Sequence, residues 1–377
     1  MATLTIRGLS RTDSGRTGAG RSDRGRAGID TPPLRAITFE VADGRVAALL
    51  GARGAGTTAL LRLIAGLDRP EAGEVLVGGV DLTRVGAGRR GITLLAREIA
   101  LLPGKDVRGN VDYALRGMGL APSERDAAVA TALASLRLSA LATVPPAALS
   151  EADQQRVAIA RTLAPEPAVA LLDEPLGTLA GAERQVLRRE LRTALHARGT
   201  TAVLATSDPD DAAAVADDLV VLVAGRVLQS GATAEVMANP ASSAVATLLG
   251  YVTLAQGEVQ ARRVVEAGAG AIAIPRGMPV GVGARVMAHP ASLLAVPAGR
   301  GLGCGVSGPV LAALSAGPMH RLEVAIGPRV IEVRWEWDLL PPPAGSVVDL
   351  AVRPDTLRFF EEPNGSAMHV HRSAGGA

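Results

Sequence analysis

Lysine is nearly absent from this sequence. Lys105 is the only one in 377 residues, although lysine and arginine together number 39. Cysteine is as scarce: Cys304 stands alone, which excludes an intrachain disulfide framework and fits a reducing compartment. Aromatic residues make up 2% of the chain. Charge of one sign is lacking too. The 39 basic residues meet 37 acidic ones, leaving a formal charge of +2 and no global electrostatic case for nucleic acid. No run of about 18 apolar residues occurs, so no membrane-spanning helix is expected. The start, Met1-Ala2-Thr3-Leu4, has no apolar signal core, so a cytoplasmic location is expected. What the chain does have is 48% hydrophobic residues, enough to bury large cores over two or three domains.

Residues 3–8 alternate like a short strand. Residues 10–33 follow with Gly, Ser, Arg and Asp and no hydrophobic period, the chemistry of a flexible insertion. Its arginines, among them Arg11, Arg16, Arg21, Arg24 and Arg26, either touch phosphates or are simply solvated, since Asp13, Asp23 and Asp30 interrupt them. From Leu34 onward apolar patterning predicts strands over 35–41, 45–50, 73–80, 168–172 and 201–205. Helices are predicted over 58–65, 123–136, 181–198 and 232–237, with residues from about 96 to 165 mainly helical. This alternation argues for a mostly parallel α/β core. After Tyr251 short Val-rich stretches alternate with Gly and Pro, as in small β-barrels. A faint internal echo links Val286–Leu293 to Leu350–Leu357, as two related β units would.

Residues 51–58 read Gly51-Ala52-Arg53-Gly54-Ala55-Gly56-Thr57-Thr58. Against the phosphate-loop pattern G-x-x-x-x-G-K-[ST], Gly51, Gly56 and Thr58 match and Thr57 stands at the lysine position. A buried strand, a glycine turn and a helix in this order form an anion nest from backbone N–H groups, and Thr58 offers a hydroxyl to magnesium. The missing point charge is expected to weaken nucleotide binding by about one to two decades. Arg53 is the loop's own candidate for a replacement cation.

Two later segments carry more. Leu149-Ser150-Glu151-Ala152-Asp153-Gln154-Gln155-Arg156-Val157-Ala158-Ile159-Ala160-Arg161 precedes Ala168-Val169-Ala170-Leu171-Leu172-Asp173-Glu174-Pro175. With the glycine loop at its proper distance upstream, they resemble the signature and Walker B segments of the ATP-binding-cassette (ABC) family, in particular the ATP-binding subunits of importers. The resemblance implies a P-loop NTPase cassette over residues 1–250, with a helical subdomain at about 96–165. ATP and Mg2+ would be its cofactors. Asp173 would join Thr58 at the metal and Glu174 would polarise the attacking water.

Several positions depart from the family pattern. Glu151, Ala152 and Asp153 replace Gly-Gly-Gln after Ser150, setting two carboxylates toward a triphosphate across a dimer. Arg97 stands at the position of the Q-loop glutamine, Ala180 at that of the D-loop aspartate and Ser207 at that of the switch histidine. Together with Thr57 they imply impaired hydrolysis. Two readings follow: a transporter subunit with weakened turnover, or a non-hydrolytic regulatory or scaffolding subunit on the same frame.

Residues 251–362 are similar in layout to the TOBE-type, OB-like C-terminal β-barrel of such importers, with Arg353-Pro354-Asp355-Thr356-Leu357 the clearest piece. This barrel either packs subunits together or also takes a ligand. Trp335 and Trp337 would lie on one strand face, in a core or interface. Residues 363–377 read as a disordered tail. The resemblance further implies permease subunits as membrane partners, a homodimer or a heterodimer with a cassette paralogue, and an indirect link to a solute-binding protein. The location implied is peripheral, on the inner face of the cell membrane.

Overall fold

Val46–Leu50, Val169–Asp173 and Ala202–Thr206 are buried along their whole length, as strands covered on both faces must be. In the computed structural model they lie side by side in the middle of one sheet. The structure describes residues 2–12, 33–266, 270–274, 283–299, 303–316, 319–335 and 340–362, which divide into two compact units, residues 1–238 and 239–377.

The first unit runs β1 (Leu4–Arg11), β2 (Leu34–Val41), β3 (Val46–Leu50), α1 (Thr57–Ala65), β4 (Ala72–Val77), β5 (Val80–Asp81) and β6 (Ile92–Leu95). It continues through α2 (Val107–Leu115), α3 (Pro122–Ser135), α4 (Glu151–Leu163), β7 (Val169–Asp173), α5 (Gly181–Ala197) and β8 (Ala202–Thr206). It ends with α6 (Pro209–Val215), β9 (Asp218–Val223), β10 (Arg226–Ala232) and α7 (Thr233–Ala238). One sheet has the order β10-β9-β3-β8-β7-β6 and is parallel except for β10. The other, β2-β1-β4-β5, is antiparallel. Residues of α1, Leu60, Leu61, Leu63 and Ile64, are fully buried among side chains of both sheets. Each such side chain contributes about 1.5–3 kcal/mol, so α1 is clamped in place and its N-terminus is a fixed point.

The helical stretch contains α2, α3 and α4, as patterning predicts. Its entry loop hangs on Asn110, which is fully buried. The Asn110 amide donates to the carbonyls of Leu102, Lys105 and Asp106, and its oxygen accepts from the Leu102 N–H at 2.7 Å. Asn110→Ala should therefore cost about 2 kcal/mol, since it leaves several backbone groups unpaired. Faster amide exchange at Leu102 is the expected local sign; unchanged exchange there would show that the loop does not depend on this side chain.

The second unit contains α8 (Ser243–Leu248), β11 (Val252–Gln260), β12 (Arg263–Glu266), β13 (Gly270–Ala273), β14 (Gly283–Ala288) and β15 (Leu293–Pro297). After these come β16 (Gly303–Ala316), β17 (Met319–Ile326), β18 (Arg329–Trp335), β19 (Val347–Val352) and β20 (Arg358–Glu362). The short helix α8, placed before the expected boundary at residue 250, groups with this unit. Strands β17-β18-β15-β19-β16 are hydrogen-bonded in that order and β16 pairs again with β17, which closes a small barrel. The 14-residue β16 also reaches β13, carrying the sheet on through β12, β11, β14 and β20.

The echo in the sequence has a structural counterpart. β14 and β15 flank a single 3-10 turn, as do β19 and β20. β14 pairs with β20 and β15 with β19, in registers related by a constant offset of 64 residues: Met287 opposes Arg358, and its counterpart Ala351 opposes Leu294. Trp335 is buried in the core of this unit; Trp337 lies outside the described residues, as do most of the 10–33 insertion and the tail from 363.

Candidate functional site

The C-terminal ends of β3 and β7 open on a cleft of about 560 Å3. It is lined by Gly51, Ala52, Arg53, Gly54, Gly56, Thr57 and Thr58 from the loop and α1, by Arg97 and Glu98 beyond β6, and by Asp173 and Glu174 at the end of β7. Of the predicted loop residues only Ala55 is turned away; it is buried, and its N–H donates to the Ala52 carbonyl. The loop needs its glycines. A Cβ at Gly51 would come within 2.8 Å of Ala55 Cβ and 2.9 Å of the Leu222 carbonyl oxygen. Gly56 caps α1 with φ of 102°, a left-handed conformation that side chains disfavour. No side chain caps α1 and no acidic residue sits in its first turn, so its leading N–H groups face the cleft unpaired by side chains.

Asp173 is 4% exposed, and its Oδ1 is buried without a hydrogen-bond partner. Burial pushes its carboxyl above the ordinary value, and Glu174 adds to that push. Hydrogen bonding to the Thr58 hydroxyl and the positive charge of Arg97 oppose it. An unpaired, desolvated carboxylate oxygen next to a hydroxyl is a hard-oxygen set of the kind magnesium takes when phosphates and water complete its shell. Among the described residues no three His, Cys, Asp or Glu side chains cluster as a metal cage, so any metal here depends on the phosphates as co-ligands.

Glu174 has φ of 48°, uncommon for a residue with a side chain and frequent at functional sites. Two backbone bonds hold it there. Its N–H donates to the Ala205 carbonyl at 2.9 Å, and its carbonyl accepts from the Gly177 N–H at 3.0 Å.

The remaining expected positions lie outside this cleft. Ser150 is the N-cap of α4 and accepts from the Asp153 N–H at 3.1 Å, while its hydroxyl donates to the Asp153 carboxylate at 2.7 Å. Arg156 donates to the same carboxylate at 2.9 Å and to the buried Glu190 at 2.8 Å. Of the two signature carboxylates, Asp153 is turned back onto Ser150 and Arg156, while Glu151 is exposed. Ala152 is buried, and Ser207 is exposed just after β8. Ala180 precedes α5 as its N-cap without a side-chain bond.

Sequence reasoning missed a charged knot between α5 and α6. Asp211 is 1% exposed and is gripped by Arg184, at 2.6 Å, and by Arg188. Both arginines also reach Asp208, the N-cap of α6, at 3.0 and 3.4 Å. Arg184 extends to the Leu179 carbonyl and feels the charge of Glu174. The knot thus joins the turn after β7 to the turn after β8.

The family model described as ABC transporter matches residues 34–177. An Fe(3+) ions import ATP-binding protein, FbpC, of Streptomyces coelicolor is 38% identical over 283 residues, covering 75% of this chain and 79% of its own length. The chain belongs to the ABC transporter family. The protein of the same name from Streptomyces avermitilis is equally similar, at 38% identity with 80% of its length covered. Among solved structures, cbiO1 from Clostridium perfringens, part of the ABC transporter complex cbiONQ, superposes with a TM-score of 0.53. It is 27% identical and covers 63% of this chain and 90% of that one. A dimeric ATP-binding cassette in a post-hydrolysis state with ADP and Pi superposes at 0.50 with 23% identity, a likeness of fold alone. The fold is therefore an ABC cassette followed by a small C-terminal β-barrel region, and the chain is placed among the ATP-binding subunits of importers.

Proposed function

We propose that this cassette binds ATP with magnesium in the cleft beneath the Gly51–Thr58 loop, couples nucleotide occupancy to membrane permease subunits, and hydrolyses ATP slowly if at all. The observation that carries the reading is the convergence in one cleft of the loop, Asp173 with its unpaired buried oxygen, and Glu174 in its held left-handed conformation. Backbone N–H groups of the loop and of α1 hold the phosphates. Thr58 and Asp173 hold magnesium, which when bound neutralises phosphate charge, and Glu174 orients and polarises water. Thr57 supplies no cation, and Ser150 spends its hydroxyl proton on Asp153 rather than on a nucleotide across a dimer. Iron(III) is the solute favoured by similarity to the named importers. The C-terminal barrel is read as a TOBE-type domain that packs subunits. The assembly has two cassettes, identical or paralogous, on the inner face of the cell membrane, with a solute-binding protein outside.

Each missing charge-assisted contact is worth about 1.5–3 kcal/mol. Two such losses in the transition state slow turnover by about a hundredfold or more. Purified protein should accordingly bind ATP in a calorimeter yet show magnesium-dependent turnover far below one per second. Thr57→Lys alone should not restore it, because the signature remains closed on itself. Fast turnover that disappears in Glu174→Gln would overturn the impaired-hydrolysis reading. Recovery by Thr57→Lys would reduce the other departures to minor effects.

A further inference from the structure

Four guanidinium groups line the nucleotide cleft, and they are not equivalent. Arg11 and Arg62 both close on Asp68, at 2.8 and 2.9 Å, so their charge is already matched. Arg53 and Arg97 make no hydrogen bond or ion pair within 4 Å among the described residues, and both are exposed to the cleft. They differ in position. Arg53 is at the outer turn of the loop, between Ala52 and Gly54. Arg97 follows β6, the strand paired with β7, and so stands on the wall that carries Asp173. The register that sets Leu95 beside Leu172 brings Arg97 toward Asp173, whose carboxyl its charge lowers.

Two carboxylates, Asp173 and Glu174, form the floor where a triphosphate must sit, and α1 offers no basic side chain in its first turn. A polyanion entering this corner needs a mobile, unengaged cation on the Asp173 side, and one is present. We propose that Arg97 is the phosphate-binding cation of this cassette, supplying from the segment after β6 the charge that a loop lysine would supply from α1. The proposal rests on the nucleotide-binding reading above. A guanidinium suits the role because its planar fork engages two phosphate oxygens at once. The exchange of roles also accounts for two departures together: Thr57 is tolerable because Arg97 is there, and a neutral residue at 97 would leave the cleft with no cation on that wall.

Calorimetric titration of the full-length protein with ATP and magnesium, and separately with ADP and magnesium, tests this. Arg97→Gln should weaken ATP binding by about tenfold or more, while Arg97→Lys should retain most of the affinity. Arg53→Gln should cost less than Arg97→Gln. The double variant Thr57→Lys with Arg97→Gln should regain affinity lost in Arg97→Gln, since it returns the charge from the opposite wall. Arg97→Gln binding within twofold of the parent, or a larger loss in Arg53→Gln, would overturn the proposal and leave the nucleotide reading intact. A parent protein that binds no ATP at millimolar concentration would overturn the nucleotide reading, and this inference with it. Thermal melting close to that of the parent is expected for Arg97→Gln, since among the described residues the side chain gives up no hydrogen bond or close ion pair and only its longer-range attraction to Asp173; if it melts early, the Arg97→Lys comparison still decides between charge and fold.

Discussion

Asp211→Ala should destabilise the cassette unit by about 3–5 kcal/mol, the cost of removing one partner from a buried ion pair. Asp211 is almost fully buried and receives both Arg184 and Arg188. Alanine leaves two guanidinium groups, each about a fifth exposed or less, sharing only Asp208. At about 2–4 °C per kcal/mol for a unit of this size, the first thermal transition should fall by roughly 10 °C. Asp208→Ala provides the comparison. Asp208 is more exposed and caps α6 by accepting from the N–H groups of Asp210 and Asp211, so its loss should cost about 1 kcal/mol, the usual value of a cap. If the two variants melted alike, the knot would be an ordinary surface cluster. Because Arg184 also reaches the Leu179 carbonyl, Asp211→Ala should additionally loosen the turn that follows Glu174. Faster amide exchange at Gly177 and Leu179 would register that effect.

This knot marks a limit of what the sequence discloses. Arg184 and Arg188 lie one turn apart on α5 and read as a solvated basic face; they become a site only when α6 brings Asp208 and Asp211 against them. The phosphate loop was legible because its determinants are local: a strand of purely apolar residues, glycines where a Cβ would collide, and an apolar helix. Strand β10 was missed because its side chains alternate between exposed and half-buried with no apolar run, and β6 because four residues carry too little period. The antiparallel partnership of β1 with β2 and β4 joins segments separated by the insertion, and pattern alone does not reveal pairing at that distance. The signature is a different case. Ser150, Asp153 and Arg156 are spaced three apart, so their mutual hydrogen bonds were implicit in a helical reading. A resemblance that assigned those positions to a partner's nucleotide drew attention away from the contacts they make at home. In the barrel unit the echo was faint in residue identity yet reproduced in register, since pairing geometry constrains the backbone more tightly than side-chain chemistry.

Asp173→Asn should separate stability from ligand binding. The folded state raises the Asp173 carboxyl, chiefly through burial, so between its unfolded and folded values the native protein holds a proton that the unfolded chain has released. Stability from this group is therefore full below the unfolded value and is lost as pH rises through the folded one. Above the folded value and without ligand, the ionised carboxylate is a standing cost, with Oδ1 unpaired in the interior. A neutral amide removes that charge. The ligand-free variant should melt above the parent where the parent carboxylate is ionised, by a margin that shrinks as pH falls through the folded value of Asp173. Binding should move the opposite way. The added affinity for ATP that magnesium confers should fall by at least about tenfold, in line with the loss of a group that holds the metal or its water. Melting below the parent above that value would mean that the carboxylate is stabilised by something other than the ligand it awaits. An undiminished magnesium effect would remove Asp173 from the metal site. Higher stability and a weaker magnesium effect in the same variant would together identify Asp173 as a residue kept at the end of β7 for ligand binding rather than for the fold.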